Sequence, residues 1–311
     1  MEAPLHCVTP LIESSRLSRP NSRVWLKMEA MQPAGSFKNR GIGAACQHYV
    51  RHGAKTLISS SGGNAGIATA YAGSKLDVPV VVITPESTSA LAITAMRQFG
   101  AEVQIHGHSW LEAHQFAESL IDQSSVLIHP FDDPLLWPGH ATMIDEVIET
   151  GCVPDAIVLS VGGGGLLTGV ALGLKEHDLN DTLIVAVETS GAASLAASLN
   201  ANELVMLEQI DTIANTLGAK QVSAAALEVA STMNVSSLVV SDQQALNACN
   251  RFVDDHRVLV EPACGAALAA VYDNAPLLEH AGNILVIVCG GMGISLNQLA
   301  QWQHVLDQGK T

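Results

Sequence analysis

Three times the chain passes from a short run of β-branched and apolar residues into a glycine-rich turn and on into a helical pattern. The stretches are "KTLISSSGGNAGIATAYAGSKL", "DAIVLSVGGGGLLTGVALGLKE" and "NILVIVCGGMGISLNQLAQW". Between them stand further runs of the same kind, "PVVVITP", "AEVQIHG" and "LIVAVETSG". They are continuously apolar rather than alternating. Such strands, interleaved with helices, belong to parallel sheets covered by helices on both faces. The fold class is therefore α/β, and 311 residues suffice for a large core and two domains. Hydrophobic residues make up 48% and charged residues 14% of the chain, against roughly 25% charged in an average protein. Much of the sequence is interior or interface, which argues against disorder. There is no fixed-period repeat and no low-complexity tract. The three prolines of "PFDDPLLWPG", Pro130 to Gly139, mark a crossover between domains. Ser241 suits a helix N-cap, and "GAALAAVY" reads as a tightly packed core helix.

Several functions are excluded by composition. With a formal charge of −15, the global field repels phosphate backbones, and 4% aromatics offer no stacking platform for bases. No nucleic-acid partner is expected. No basic-then-apolar leader opens the chain, and no apolar run reaches roughly 18 residues, so no membrane association is expected. Six cysteines form no C-x-x-C pair and read as reduced thiols of a cytoplasmic protein. His48 and His52 are spaced four apart without a third ligand nearby, and a solvated helix face is preferred to zinc.

The glycine turns carry the chemistry. In a parallel sheet, ligands bind where strand ends meet helix N-termini, whose free N–H groups hold anions. "VGGGGLL", Val161 to Leu167, is then a phosphate cradle without a basic residue. No G-K-[ST] ending makes it a P-loop, and Leu167 stands where a dinucleotide fingerprint needs its third glycine, although Glu188 mimics that fingerprint's acidic residue. "SSSGGNAG", Ser59 to Gly66, adds hydroxyls and an amide at a helix start, a set suited to a carboxylate. Cys289 follows the third strand into the same crevice. The remaining feature is "PAGSFKNRGIG", Pro33 to Gly43, which places one of seven lysines, Lys38, after Phe37 and between Gly35 and Gly41. The two glycines would make room to bring Lys38 under a flat ring, Ser36 would join a phosphate or cap the helix, and Arg40 is read as a surface or helix-packing residue. A phosphate loop, a carboxylate loop and a lone lysine together suit pyridoxal 5′-phosphate.

These residues resemble the fold-type II pyridoxal-phosphate enzymes (tryptophan synthase β-like), in particular the serine/threonine dehydratases of the mammalian type and the serine dehydratase-like group. The matching segments are "VTPLIES" at 8–14, "QPAGSFKNRGIG" at 32–43, "SSGGNAGIATAYA" at 60–72, "VGGGGLLTGV" at 161–170, "LVEPACGAALA" at 259–269 and "VIVCGG" at 286–291. The resemblance implies two open, twisted, mostly parallel sheets with helices on both faces. Residues 1–44 and 137–311 would form the large cofactor-binding domain, and 45–136 a small domain bringing the carboxylate loop.

It also implies roles. Lys38 would be the covalent anchor and the base, with Ser61 a second acid/base candidate. Phe37 would pack on the cofactor ring, Asn64 bond its 3-oxygen, and Cys289 face its nitrogen. Gly162, Gly163, Gly164, Gly165 and Leu166 would hold the phosphate. Ser61, Gly62, Asn64 and Ala65 would take the substrate carboxylate. Potassium would lie among Gly162, Glu188, Ala192, Ser194, Leu217 and Ala219. The implied activity is elimination of water from L-serine or L-threonine by a cytoplasmic homodimer, without an isoleucine-sensing domain. Gly62 departs from the alanine common among fast dehydratases and implies a looser pocket. The neighbouring activities are β-replacement, as in cysteine synthases, and serine racemisation; Cys289 and "SSGGNAG" favour dehydration over the first. A non-catalytic amino-acid binder is a further alternative, against which an intact Lys38 speaks.

Overall fold

In the computed structural model, which describes residues 3–309, the chain runs through β1 (Leu11–Glu13), β2 (Arg23–Lys27), α1 (Lys38–Arg51), β3 (Thr56–Ser59), α2 (Asn64–Leu76), β4 (Val80–Thr84) and α3 (Ala90–Gln98). It continues with β5 (Glu102–Ile105), α4 (Trp110–Ser119), β6 (Ser125–Ile128), α5 (Leu136–Glu149), β7 (Ala156–Ser160), α6 (Gly165–Glu176) and β8 (Leu183–Thr189). The last part holds α7 (Ser194–Ala201), α8 (Ala224–Thr232), β9 (Val235–Val240), α9 (Asp242–His256), α10 (Pro262–Tyr272), β10 (Asn283–Ile287) and α11 (Leu296–Asp307).

Two sheets result, one of six strands in the order β1-β2-β10-β7-β8-β9 and one of four in the order β5-β4-β3-β6. Every neighbouring pair is parallel except β1 with β2. The uninterrupted apolar runs explain this. β7, "AIVLS", is buried at all five positions, as a strand covered on both faces must be. Each of the six runs that the sequence marks as strands is one: β3, β4, β5, β7, β8 and β10. The edge strand β5 is exposed at both ends.

The larger hydrophobic core surrounds the six-stranded sheet and takes in α10, buried along its whole length as its "GAALAAVY" pattern implies. A second core, with Leu57, Ile67, Val82 and Met96, lies against the four-stranded sheet. Ser241 caps α9 through a reciprocal capping box with Gln244. Pro130 to Gly139 connects β6 to α5, with Pro138 in the first turn of α5 where a missing N–H costs nothing. Among the described residues no helix is long and apolar enough to cross a membrane.

Of the two roles the sequence leaves to Arg40, surface or helix packing, the structure selects the second. Arg40 is fully buried, and two carboxylates grip it. Its Nε and Nη2 donate to Glu29 at 2.7 and 2.8 Å, and Nη1 and Nη2 donate to Glu146 at 2.7 Å each. Lys27 also bonds Glu146 and donates to the Thr9 carbonyl at 2.8 Å. Burial alone would raise the Glu146 carboxyl, but Arg40 and Lys27 outweigh it and hold that carboxyl below its ordinary value. The surface reading of Arg40 fails because a guanidinium can be buried where carboxylates satisfy its fork. Gly41 likewise serves helix packing rather than space at Lys38. A Cβ there would stand 2.6 Å from the His140 ring and 2.6 Å from the Leu136 carbonyl, both on α5.

Arg40→Ala would leave Glu29 and Glu146 buried with Lys27 as their remaining cation. Breaking such a group from one side costs about 3–5 kcal/mol. Thermal unfolding of this variant is expected to show a clearly lower Tm, whereas Arg97→Ala, exposed on α3, should change Tm little.

Candidate active site

Lys38 is the first residue of α1 and is held in place by backbone bonds to the turn after β10. Phe37 N–H donates to the Cys289 carbonyl at 3.1 Å, and Gly291 N–H donates to the Gly35 carbonyl at 2.9 Å. Ser36 and Gly290 form an isolated bridge between these contacts. The close approach requires glycine. Gly35 has φ +70°, and a Cβ on Gly290 would come within 2.2 Å of the Gly35 carbonyl oxygen. This pairing also separates the third glycine turn from its helix, since α11 begins only at Leu296. Ser36 does not cap α1; its Oγ is buried without a partner.

The Lys38 amine donates to the Pro130 carbonyl and lies 5.1 Å from the centre of the Phe37 ring. Removal from water pushes its pKa down to about 8, against the Cys289 thiol, which works the other way. Phe37 in turn leans on His140 at 5.0 Å. His140 accepts the Gly41 N–H at 3.3 Å through Nδ1. Burial and then the nearby cations hold its pKa well below the usual value, so the ring is neutral. The Cys264 thiol and burial drive the Cys289 pKa far up, leaving a neutral thiol.

Pro130 and Phe131 join this corner to the tetraglycine turn at the C-terminal end of β7. A Cβ on Gly163 would stand 2.2 Å from the Phe131 ring, and one on Gly165 would stand 2.9 Å from the Phe131 carbonyl. Gly164 has φ +95°. The turn is thus tightly packed and yet keeps free donors: among the described residues, the N–H groups of Gly162, Gly163, Gly164, Gly165 and Leu166 have no acceptor. They converge on the N-terminus of α6, where the helix dipole adds to them.

The third wall is the turn between β3 and α2. Asn64 opens α2, and its Nδ2 donates to Glu261 Oε1 at 2.6 Å. Gly63 N–H donates to Ser61 Oγ at 3.3 Å. The N–H groups of Gly62, Asn64 and Ala65 have no acceptor among the described residues. The room beside Gly62 is not open, contrary to the looser pocket its sequence implies. A Cβ there would meet Thr88 at 2.2 Å from Oγ1 and 2.9 Å from Cγ2. Glu261, from the N-cap position of α10, is buried and pushed up to about 7, with only Thr216 and Asn64 bonding to oppose its desolvation.

Behind the tetraglycine turn, Glu188 at the end of β8 accepts the N–H groups of Leu195 and Ala196 at 2.7 and 2.8 Å. Burial pushes it up to about 7. Ser194 Oγ is buried without a partner, and Ala192, two residues before it, is also buried. A Cβ on Gly162 would lie 3.1 Å from Leu217 Cα, and Ala219 N–H donates to the Leu217 carbonyl at 2.7 Å. Among the described residues no cluster of three or more His, Cys, Asp or Glu side chains could hold a metal ion. His48 and His52 stack at 4.1 Å, with His52 Nδ1 donating to the His48 carbonyl.

Lys38, Phe37, Cys289 and the tetraglycine turn therefore line one corner, and Asn64 reaches it through Glu261. Five residues around this corner are not among the candidates the sequence offers: Pro130, Phe131, His140, Glu261 and Thr88. Pro130 and Phe131 lie in the proline-rich crossover "PFDDPLLWPG" and Glu261 in "LVEPACGAALA", stretches singled out without a role for these side chains.

The family described as "Pyridoxal-phosphate dependent enzyme" matches residues 3–290. A mouse (Mus musculus) protein named "Serine dehydratase-like" is 47% identical and aligns over 96% of this chain and 94% of its own length. The human (Homo sapiens) "L-serine dehydratase/L-threonine deaminase" is 46% identical, over 95% of this chain and 94% of that protein. Among solved structures, a fungal L-serine ammonia-lyase from Rhizomucor miehei superposes with a TM-score of 0.92 at 36% identity, covering 97% of this chain and 99% of that one.

Glu261 predicts a pH dependence of stability. Its carboxyl ordinarily titrates at 4.5 and in the fold at about 7. The folded protein keeps a proton that the unfolded chain releases, so this contribution is full below pH 4.5 and is lost as pH rises through about 7. Urea unfolding of wild type and Glu261→Gln across pH 4.5–7.5 is expected to differ in slope. The glutamine should remove up to about 3 kcal/mol of the decline.

Proposed function

The chain belongs to the family of pyridoxal-phosphate dependent enzymes, and on that premise we propose that it is an L-serine dehydratase acting also on L-threonine. It would eliminate water and release pyruvate or 2-oxobutanoate with ammonia. The names of the mouse and human relatives and of the fungal structure support this reading. The observation that carries it is the Lys38 amine, weakened as a base to about 8 by its removal from water, on a backbone that Phe37 N–H ties to the carbonyl of a neutral Cys289.

The residues fit the cofactor. Five N–H groups without acceptors at the start of α6 suit a phosphate in a chain whose net charge is −15. Ser36 Oγ, buried and unpartnered, is a further donor beside Lys38. Pyridoxal phosphate, when bound, supplies an aldehyde for an amine and a conjugated ring that accepts the electron pair of a broken Cα–H bond. Gly162 to Leu166 would hold its phosphate, Phe37 its ring face and Asn64 its 3-oxygen. Cys289, as a neutral thiol, would leave the ring nitrogen without a charged partner, which suits β-elimination better than transamination. Lys38 Nζ would take the Cα proton. The N–H groups of Gly62, Asn64 and Ala65 with Ser61 Oγ would orient the substrate carboxylate. Ser61 is also the candidate for returning a proton on the opposite face, which would give a racemase side activity.

The reading has coarser companions. Residues 45–136 would be the small domain carrying the carboxylate loop, with 1–44 and 137–311 the cofactor body. All four strands of the smaller sheet fall within 56–128, while α1 crosses the boundary and packs on both α2 and α5. A potassium ion would sit among Glu188, Ser194 Oγ and the carbonyls of Gly162, Ala192, Leu217 and Ala219. A buried carboxyl with two N–H donors but no cation, beside an unpartnered hydroxyl, supports it. A cytoplasmic homodimer completes the reading; the free cysteines favour a reducing compartment.

Purified holoenzyme is expected to form 2-oxo acid from L-serine and L-threonine, and Lys38→Ala to lose at least about a thousandfold in kcat while remaining folded. D-serine or cysteine (with sulfide) as the main product would instead select racemisation or β-replacement. Replacing potassium by tetramethylammonium should lower both activity and Tm; equal values in the two salts would remove the cation from the reading.

A further inference from the structure

We propose that Thr88 is a substrate-binding residue, whose side chain takes the place of the one Gly62 lacks and whose Oγ1 donates to the substrate carboxylate. This inference rests on the reading of residues 61–65 as the carboxylate loop.

Thr88 lies in the connection from β4 to α3, far in sequence from every glycine turn, and a fixed backbone presents it. Its N–H donates to the Pro85 carbonyl at 3.1 Å. The next residue, Ser89, caps α3 by accepting the Ala92 N–H at 3.2 Å and also donates to the Gly293 carbonyl at 3.3 Å. That last bond ties the loop to the chain just beyond the 289–291 turn, so Thr88 stands where the two sheets' loops meet. Its side chain is half-buried, and Oγ1 has no hydrogen-bond partner among the described residues. A hydroxyl in this position is available to a ligand.

Gly62 and Thr88 exclude one another's bulk. A Cβ at position 62 would stand 2.2 Å from Thr88 Oγ1, 2.9 Å from Cγ2 and 3.1 Å from Cβ. Turning χ1 of a β-branched residue exchanges the two branches without emptying the space, and Cβ does not move at all. Glycine at 62 therefore does not leave a hole. It leaves the space beside its own Cα to the Thr88 hydroxyl, next to the loop whose Gly62, Asn64 and Ala65 N–H groups are unpartnered. A carboxylate held by those groups has lone pairs to spare, and Thr88 Oγ1 would take one.

Thr88→Val keeps the shape and removes the donor. With holoenzyme it is expected to raise KM for L-serine roughly tenfold, as for one lost bond to a charged group, while kcat and Tm change much less. Thr88→Ser, which keeps the hydroxyl, should retain the wild-type KM. Without any substrate, Gly62→Ala should lower the Tm of the cofactor-free protein by about 3 °C or more, and Gly62→Ala with Thr88→Ala should recover most of that loss. An unchanged KM in Thr88→Val would overturn the binding role, and a wild-type Tm in Gly62→Ala would overturn the shared space. A wild-type enzyme inert toward L-serine and L-threonine would instead sink the dehydratase reading, and the stability cycle would still report on the pair.

Discussion

The start of α1 depends on a buried group of four charges. Arg40 and Lys27 face Glu29 and Glu146, so the cluster carries equal numbers of opposite charges and most of its donors and acceptors are met. Isolated, any one of them would be expensive to remove from water; together they are tolerable and geometrically demanding. The Arg40 fork accepts only one arrangement of two carboxylates. It thereby fixes α1 against both the turn after β2 and the body of α5. Lys38 lies two residues earlier, on nearly the opposite side of the same helix turn, because successive helical residues are about 100° apart. The face that buries Arg40 therefore turns Lys38 into the crevice. The helix that carries Lys38 is thus clamped from behind, and the bond from its amine to the Pro130 carbonyl completes its placement.

A second constraint acts through the backbone. The segments 35–37 and 289–291 pair so closely that glycine is needed at 35 and 290. This contact places Lys38 and Cys289 side by side although they are far apart in the sequence. The other two walls follow from topology. The turns after β3, β7 and β10 all emerge at C-terminal strand ends, the position at which parallel α/β sheets bind ligands. The smaller sheet brings the turn after β3, and the larger sheet brings the other two. Asn64 to Glu261 is the hydrogen bond that links them, and Ser89 to Gly293 is another.

The sequence reveals what is local. Continuous apolar runs bounded by glycine or proline locate six strands, and the Ser241 cap and the α10 core are legible from a few residues each. The tetraglycine and asparagine turns are legible because an anion site needs N–H groups on consecutive residues. Long-range partners are not legible. Arg40 reads as a surface or helix-packing residue because most arginines are exposed, and nothing near it announces Glu29 or Glu146 as partners. Gly41 looks like part of the lysine's surroundings, yet it answers to His140 and Leu136 about a hundred residues later. Thr88 sits in an ordinary turn and acquires meaning only from its distance to Gly62. Glu261 stood inside a recognised motif without a role, because its partner Asn64 lies on another helix and another sheet.

Electrostatics gives these placements a common logic. Burial pushes Glu261 and Glu188 up to about 7, Lys38 down to about 8, and the Cys289 thiol far up. Each shift favours the uncharged form. A crevice whose side chains are drawn toward neutrality offers few fixed cations to a phosphate or a carboxylate. Anion affinity then has to come from backbone N–H groups and helix dipoles at α2 and α6, which are not lost to titration or screened as surface charges are. On the proposed reading, such donors are what would let a chain with a charge of −15 receive two anionic groups at once. The same reading explains why glycine dominates the two turns: side chains there would cover the donors on which binding rests.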